Sequence, residues 1–378
     1  MKIVFLSNFF NHHQRFISDH LYQATSGEYF FVETGRMPVE RERLGYPNDK
    51  AAYVVQYNDR TKHRIDAEVL SADAVIWGEA PLSMIRERVK KGLITFRYSE
   101  RRYKSPIKYL KWPIYSFHSM VYNRCFLLCA GAFCARDYVL SGMSLKRCFK
   151  WGYFPEFISY QNIDALVNKG SVAPPSILWV GRLIGVKHPE MAVEVGKFLK
   201  DRGYDFRISI VGCGELENEL RLLIKQYSLS DKIELLGSMS PQKVRAKMEQ
   251  SDIFLFTSDF GEGWGAVLNE AMNSGCAVVA SHAAGSVPYM ITDGINGFIY
   301  RSGSRRAFFE KVEWLISHPV KRAEIAKNAY LTIKNTWNSK VACLNLLRLI
   351  EDLKNGQSTS VLEGPCSMAG YYKKNWFD

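Results

Sequence analysis

Short apolar runs alternate along this chain with longer segments in which apolar residues recur every three or four positions, a pattern that predicts a mainly parallel α/β protein. In the first half, strands are expected at Lys2–Ser7, Tyr29–Glu33, Ala74–Trp77, Leu93–Tyr98 and Phe126–Ala130, with helices at His13–Thr25 and Leu82–Lys91. Between Tyr160 and Pro175 the pattern lapses into a polar stretch ending in a double proline, so residues 159–175 read as a linker. The alternation then restarts with strands Ile177–Val180, Phe206–Val211, Ile233–Leu236 and Ile253–Thr257. Helices Pro189–Arg202, Leu216–Tyr227 and Pro241–Glu249 fall between them. Six-stranded doubly wound domains are built this way, and two of them can face a cleft. From Arg305 almost to Lys354 the pattern is helical. Beyond the polar NGQSTS stretch, the tail carries Tyr371, Tyr372, Trp376 and Phe377, enough aromatic surface to predict that it docks.

The segment from Phe260 to Ser281, FGEGWGAVLNEAMNSGCAVVAS, concentrates chemistry. Gly261, Gly263 and Gly265 permit a tight turn or a close ligand approach. A helix then begins, with Val267, Leu268, Ala271 and Met272 on its buried face and Glu270 off it. Glu262 and Glu270, with seven residues between them, bracket this helix start, whose free N–H groups suit a phosphate. Gly275 ends the helix and CAVVAS reads as the next buried strand. Carboxylates and free amides at the carboxyl edge of a sheet suit a nucleotide-linked sugar. An ordinary glycine turn beside a solvated glutamate is the plainer alternative.

Composition narrows the classes. With 378 residues and 47% hydrophobic content the chain has room for two ordinary globular domains. The longest apolar run, Cys125–Ala135, is about half of a bilayer crossing. The N-terminus reads as a strand and not as a signal peptide, so a cytoplasmic location is expected. The eight cysteines contain no CxxC pair, and Cys125, Cys129 and Cys134 lie in an apolar context where thiols act as small hydrophobes. No Asp-x-Asp occurs, and no metal site is expected. The charge is uneven: ten basic residues between Arg86 and Lys111, against two acids, carry a net +8 of the chain's +12. Interleaved aromatics (Phe96, Tyr98, Tyr103, Tyr109, Trp112, Tyr115, Phe117) make this stretch a candidate for an anionic membrane surface or a phosphorylated acceptor. A solvated basic face is the bland reading. Nucleic acid is not expected, because no zinc-finger or RNP-type pattern accompanies the charge.

Arg182 and Lys187 share the loop after the first strand of the second half, where two cations can neutralise a departing diphosphate without metal. The pair Gly212 and Gly214 lacks a third glycine, so it fails as a dinucleotide fingerprint but serves as a tight turn. Gly237-Ser238-Met239 and Ser281–Ser286 occupy later loops of the same kind.

The order of these features, closing with SGCAVVAS and DGINGFIY, resembles the large fourth family of retaining GT-B glycosyltransferases. The likeness is close over Pro175–Ser302. It is looser in the first half, where FFNHHQ, FRYSER and KWGYFPE are similar to members acting on bacterial surface polysaccharides. The resemblance implies an N-terminal Rossmann-like acceptor domain (1–158), a C-terminal donor domain (176–354) and a tail (355–378) docked on the N-terminal domain. It implies transfer from a UDP- or GDP-linked sugar to a glycan or lipid-linked acceptor, with retention, no cofactor, and action in the cytoplasm or peripherally at the inner membrane face. Arg182, Lys187 and Glu262 would be catalytic, with Glu262 on the sugar hydroxyls. Glu270 would hold the ribose. Gly181, Gly212, Gly214, Ser238, Met239, Gly261, Gly263, Trp264, Gly265 and Ala266 complete the implied donor site. Where relatives carry a glycine pair and a histidine on the acceptor side, this chain reads SNFFNHHQ and ITFRYSER, leaving His12, His13, Arg97, Ser99 and Glu100 as candidates by position. A nucleotide-sugar epimerase or hydrolase, or a basic lipid- or nucleic-acid-binding protein, are the alternatives.

Overall fold

Ile3–Ser7 (β1) is buried along its whole length and pairs in parallel with Tyr29–Glu33 (β2) on one side and Ala74–Trp77 (β4) on the other. Val54–Gln56 (β3), Thr95–Ser99 (β5), Phe126–Ala130 (β6) and Cys148–Trp151 (β7) extend an all-parallel sheet of order β3-β2-β1-β4-β5-β6-β7. The computed structural model describes residues 1–36, 51–102, 124–168 and 174–378. Lys104, Lys108, Lys111, the aromatics Tyr103, Tyr109, Trp112, Tyr115 and Phe117, and linker residues 169–173 lie outside them. The chain divides into two units, Met1–Glu156 with Thr336–Lys373, and Phe157–Asn335 with Lys374–Asp378. Strands β3 and β7 went unread in the sequence because β3 is short and partly exposed and β7 interrupts its apolar run with Lys150.

The first unit buries a basic residue of the Arg86–Lys111 stretch in its core. Arg88, 1% exposed, donates to the carbonyls of Val69 (2.6 Å), Ala72 (2.8 Å) and Ile94 (2.8 Å). Burial pushes its guanidinium down to about 10. Arg97 and Arg101 are also buried, so three of the seven described basic residues of this stretch point inward. The expected basic docking face is therefore not built from Arg88, Arg97 or Arg101. Hydrogen bonds to carbonyls, an aromatic face and carboxylates take up their charge instead.

Strands Ser176–Val180 (β8), Arg207–Val211 (β9), Ile233–Leu235 (β10), Ile253–Phe256 (β11), Ala277–Ser281 (β12) and Phe298–Tyr300 (β13) form the second unit's sheet, all parallel, in the order β10-β9-β8-β11-β12-β13. Chain order reverses between β8 and β11, the topological switch point where such sheets bind ligands outside their carboxyl ends. Trp179, Ile210, Leu255 and Val279 belong to one core with the helices Glu190–Asp201 and Arg305–Ser317, each fully buried large side chain contributing about 1.5–3 kcal/mol.

Two expected boundaries shift. The helix Ser339–Lys354, assigned from sequence to the donor domain, buries Ala342, Cys343, Leu346, Leu349 and Ile350 and packs on the helix His12–Ala24 of the first unit. The tail docks, but in two pieces. Met368 bridges Phe149 on edge strand β7, with Lys150 N–H donating to Ser367 C=O (2.8 Å) and Cys366 N–H to Lys150 C=O (2.7 Å). This covers an otherwise open sheet edge. Lys374–Asp378 belong instead to the second unit. Among the described residues no helix is long and apolar enough to cross a membrane.

Candidate active site

Loops at the carboxyl ends of β8, β9 and β10 are tied together by their backbones. Gly181 N–H donates to Val211 C=O (3.0 Å), Leu183 N–H to Cys213 C=O (2.9 Å) and Gly212 N–H to Gly237 C=O (2.9 Å). Gly212 has φ +141°, and a Cβ there would collide with the carbonyl oxygen of Gly181. The Gly-x-Gly turn is thus a close crossing of two backbones, which any side chain would push apart. Ser238 is exposed and donates to Cys213 Sγ at 3.0 Å, and Met239 beside it is half-buried.

Lys187 ends the short turn Gly185–Lys187, because the next residue, His188, takes a left-handed conformation (φ 49°, ψ 54°). The His188 ring is held by Glu190 Oε1 (2.8 Å) and faces Asp259 Oδ2 (3.4 Å). The Glu190 hydrogen bond, with help from Asp259, raises the imidazole's pKa. Trp179 Nε1 donates to Thr257 Oγ1 (2.8 Å), which donates to the Lys187 carbonyl (2.6 Å), so the core of β8 and the end of β11 fix this lysine's backbone. Its ammonium is ion-paired with Glu262 Oε2, which also accepts from Ser258 Oγ at 3.2 Å. Asp259 shapes the glutamate's turn by accepting from Gly261 N–H (2.6 Å, side chain) and Glu262 N–H (3.0 Å, backbone). Arg182 is exposed, and among the described residues its guanidinium has no hydrogen bond or ion pair.

Gly265 has φ +84°, and a Cβ would meet the Phe256 ring, so the entry into helix Val267–Asn273 is glycine-specific. Leu268, Ala271 and Met272 on that helix are fully buried, while Glu270 is half-buried as the helical period requires. Burial raises the Glu270 carboxyl above its ordinary range, and Arg245 opposes the shift. The guanidinium of Arg245 donates to the Glu270 carbonyl (3.2 Å) and Asn273 Oδ1 (3.0 Å), closing the end of the helix. Trp264 departs from its expected role as a ligand-binding side chain. Its ring is wholly buried and its Nε1 donates to Asn269 Oδ1 (2.9 Å), which leaves only backbone for a ligand.

In the first unit, His12 and His13 open a helix capped by Asn11, whose side chain accepts from His13 N–H (2.9 Å). The His13 ring stacks on Tyr153 (4.9 Å), and Tyr153 donates to Glu100 Oε1 (2.6 Å). Ser99 Oγ turns to the Glu100 carbonyl (2.7 Å). Arg97 is a brace: its guanidinium lies over Trp77 (4.6 Å), bonds the Trp77 and Gly78 carbonyls and pairs with Glu79 (2.9 Å). Three of the five acceptor-side candidates, His12, His13 and Glu100, thus gather around Tyr153, and Arg97 is committed to the fold.

Residues 167–332 match the model of the family glycosyl transferases group 1. This segment is similar to the group 1 glycosyl transferases. Over 191 residues the chain is 30% identical to WcaL of Escherichia coli (strain K12), named for a glycosyltransferase of colanic acid biosynthesis; the match covers 49% of this chain and 47% of WcaL. It is 28% identical over 209 residues to the amylovoran biosynthesis glycosyltransferase AmsK of Erwinia amylovora, covering 54% and 50%. The matches thus span about half the length of these curated relatives. The crystal structure of Anabaena HepE in complex with UDP superposes with a TM-score of 0.67 at 15% identity, covering 94% of this chain and all of that one. The shared fold is GT-B, two Rossmann-like α/β units, as the motif order implied.

Several residues around these candidate sites escaped the sequence reading. Asp259 has a local signal, an aspartate two positions before a glycine at the start of a turn. Arg245 and Tyr153 have none, because each meets its partner through packing of distant segments, as His188 meets Asp259; Ser258 bonds Glu262 four residues on, within the turn itself.

Proposed function

We propose that this protein is a retaining glycosyltransferase that moves a sugar from a nucleoside-diphosphate sugar to a glycan or lipid-linked acceptor in bacterial surface-polysaccharide synthesis. The observation that carries this reading is the placement of Arg182, Lys187 and Glu262 on the loops after β8 and β11, at one switch point, with Glu270 on the helix that follows the β11 loop. Glu270, desolvated and on the helix that leaves the β11 loop, is suited to accept two vicinal ribose hydroxyls. Glu262 would orient hydroxyls of the transferred sugar, with amides near Gly265 and Ala266 beside the phosphates. Lys187 and Arg182 would take the charge that grows on the diphosphate as the glycosidic bond breaks. Two cations would supply that stabilisation without a divalent ion. In the same-face mechanism the leaving phosphate then helps deprotonate the acceptor hydroxyl. The UDP bound by HepE and the polysaccharide roles in the names of WcaL and AmsK support the nucleotide and the pathway class.

The test is a transfer assay with UDP-glucose, UDP-galactose and GDP-mannose against membrane-extracted lipid-linked glycans, with the product's anomeric configuration read by NMR. Retained configuration, and loss of transfer in Arg182→Ala and Glu270→Ala with the fold intact, is the expected result. Donor consumption without any glycosylated product would instead identify a hydrolase or epimerase.

A further inference from the structure

Resting on the transferase reading above, we propose that the segment Lys374–Asp378 is a positioning strap for the sugar-side loop of the donor site. Phe260 begins the loop that carries Glu262, a loop with glycine at 261, 263 and 265. Such a loop holds a carboxylate in one place only if other groups restrain it. Asp259 and Lys187 restrain it from the β11 and β8 sides. A further restraint falls on the Phe260 ring, which meets the His282 ring edge-to-face at 5.2 Å and has the Lys374 ammonium 5.1 Å from its centroid.

His282 is in turn gripped by the strap at both ends. Its Nδ1 accepts from Ser302 N–H (2.9 Å), and its Nε2 lies 3.0 Å from the Lys374 carbonyl, so the proton sits on Nε2 and the ring is neutral. The His282 carbonyl accepts from Trp376 Nε1 at 3.0 Å, and the Trp376 ring stacks against the imidazole at 25°. Asp378 closes the segment with an ion pair to Arg301 at 3.3 Å. Two hydrogen bonds that span 92 and 94 residues of sequence therefore converge on one histidine, and that histidine packs on the aromatic ring two residues before Glu262. None of these contacts reaches Glu270, the nucleotide-side carboxylate. The strap should act on the sugar and not on the nucleoside diphosphate.

The experiment compares the full chain with Trp376→Ala and, as a substitution of an exposed residue that leaves folding secure, Lys374→Met. Affinities for UDP, GDP, UDP-glucose, UDP-galactose and GDP-mannose are measured by calorimetry, and kcat and KM with whichever donor the parent uses. The expected result for Trp376→Ala is a loss of about tenfold in kcat/KM for the nucleotide sugar, with affinity for the bare nucleotide within about twofold of the parent. Lys374→Met should show a smaller change of the same pattern. Unchanged kinetics in both variants, a parallel loss of nucleotide and nucleotide-sugar affinity, or a gain in turnover would each overturn the strap. A parent chain that binds neither nucleotides nor their sugars overturns the transferase reading itself, and the strap with it.

Discussion

The ammonium of Lys187 and the carboxylate of Glu262, 75 residues apart in sequence, form an ion pair at the switch point of the second sheet. Both side chains are mostly buried, at 19% and 14% exposure, so the pair is neither a solvated surface bridge nor a fully desolvated one. On the proposed reading, a diphosphate reaching Lys187 would compete with Glu262 for the same charge.

Breaking the pair from one side should therefore destabilise the second unit. In a double-mutant cycle of Lys187→Met and Glu262→Gln followed by urea unfolding, each single change is expected to cost on the order of 1–2 kcal/mol, the double less than their sum. Additive losses would mean that the two charges do not interact. Both single variants should also lose transfer activity.

Glu270 is expected to oppose stability while serving binding. Burial raises its folded-state pKa above that of the unfolded chain, so the folded state holds the proton more tightly. Stability then falls as pH rises from the ordinary carboxyl range through the raised value, and a cost remains at neutral pH. Glu270→Gln should melt higher than the parent at pH 7, lose that advantage near pH 4, and bind UDP or GDP far more weakly. Differential scanning fluorimetry across pH, paired with calorimetry, measures both effects.

His188 carries the opposite sign. Its folded-state pKa is raised, first by the Glu190 hydrogen bond, so its contribution is fully present below the ordinary imidazole pKa. That contribution is lost as pH rises through the raised value. The ring is about one-third exposed, which keeps the effect small. The stability gap between the parent and His188→Ala should be wider at pH 5.5 than at pH 9. His188→Gly should recover the part of the loss that comes from the left-handed backbone.

Two further substitutions should be among the most damaging. Arg88→Met leaves the carbonyls of Val69, Ala72 and Ile94 without their donor and should cost roughly 2–4 kcal/mol. Gly212→Ala drives a methyl group into the Gly181 carbonyl and should separate the loops after β8 and β9. Urea midpoints measure the first. For the second, nucleotide affinity should fall further than the melting temperature alone explains.

Most strands and helices, and the loops bearing Arg182, Lys187, Glu262 and Glu270, were legible in the sequence. Apolar period and glycine placement are properties of neighbouring residues, and they locate each strand's carboxyl end. The same local cues misled where packing had the final word. Trp264 lies between two glycines of a candidate ligand turn yet is wholly buried against Tyr289 and Asn269. Arg88, Arg97 and Arg101 contribute to a dense run of charge yet point inward.

By itself, the sequence determined two doubly wound α/β domains, most of their strands, and which charged residues stand on the loops that follow the second sheet. Steric preference and hydrophobic period act over a few residues, which is why those features could be read from it. Only the tertiary structure decided that Lys187 pairs with Glu262, that the last long helix returns to the first unit, and that Trp376 closes on His282. Those contacts join segments dozens to hundreds of residues apart. Their geometry follows from how whole elements pack, to which no local pattern refers.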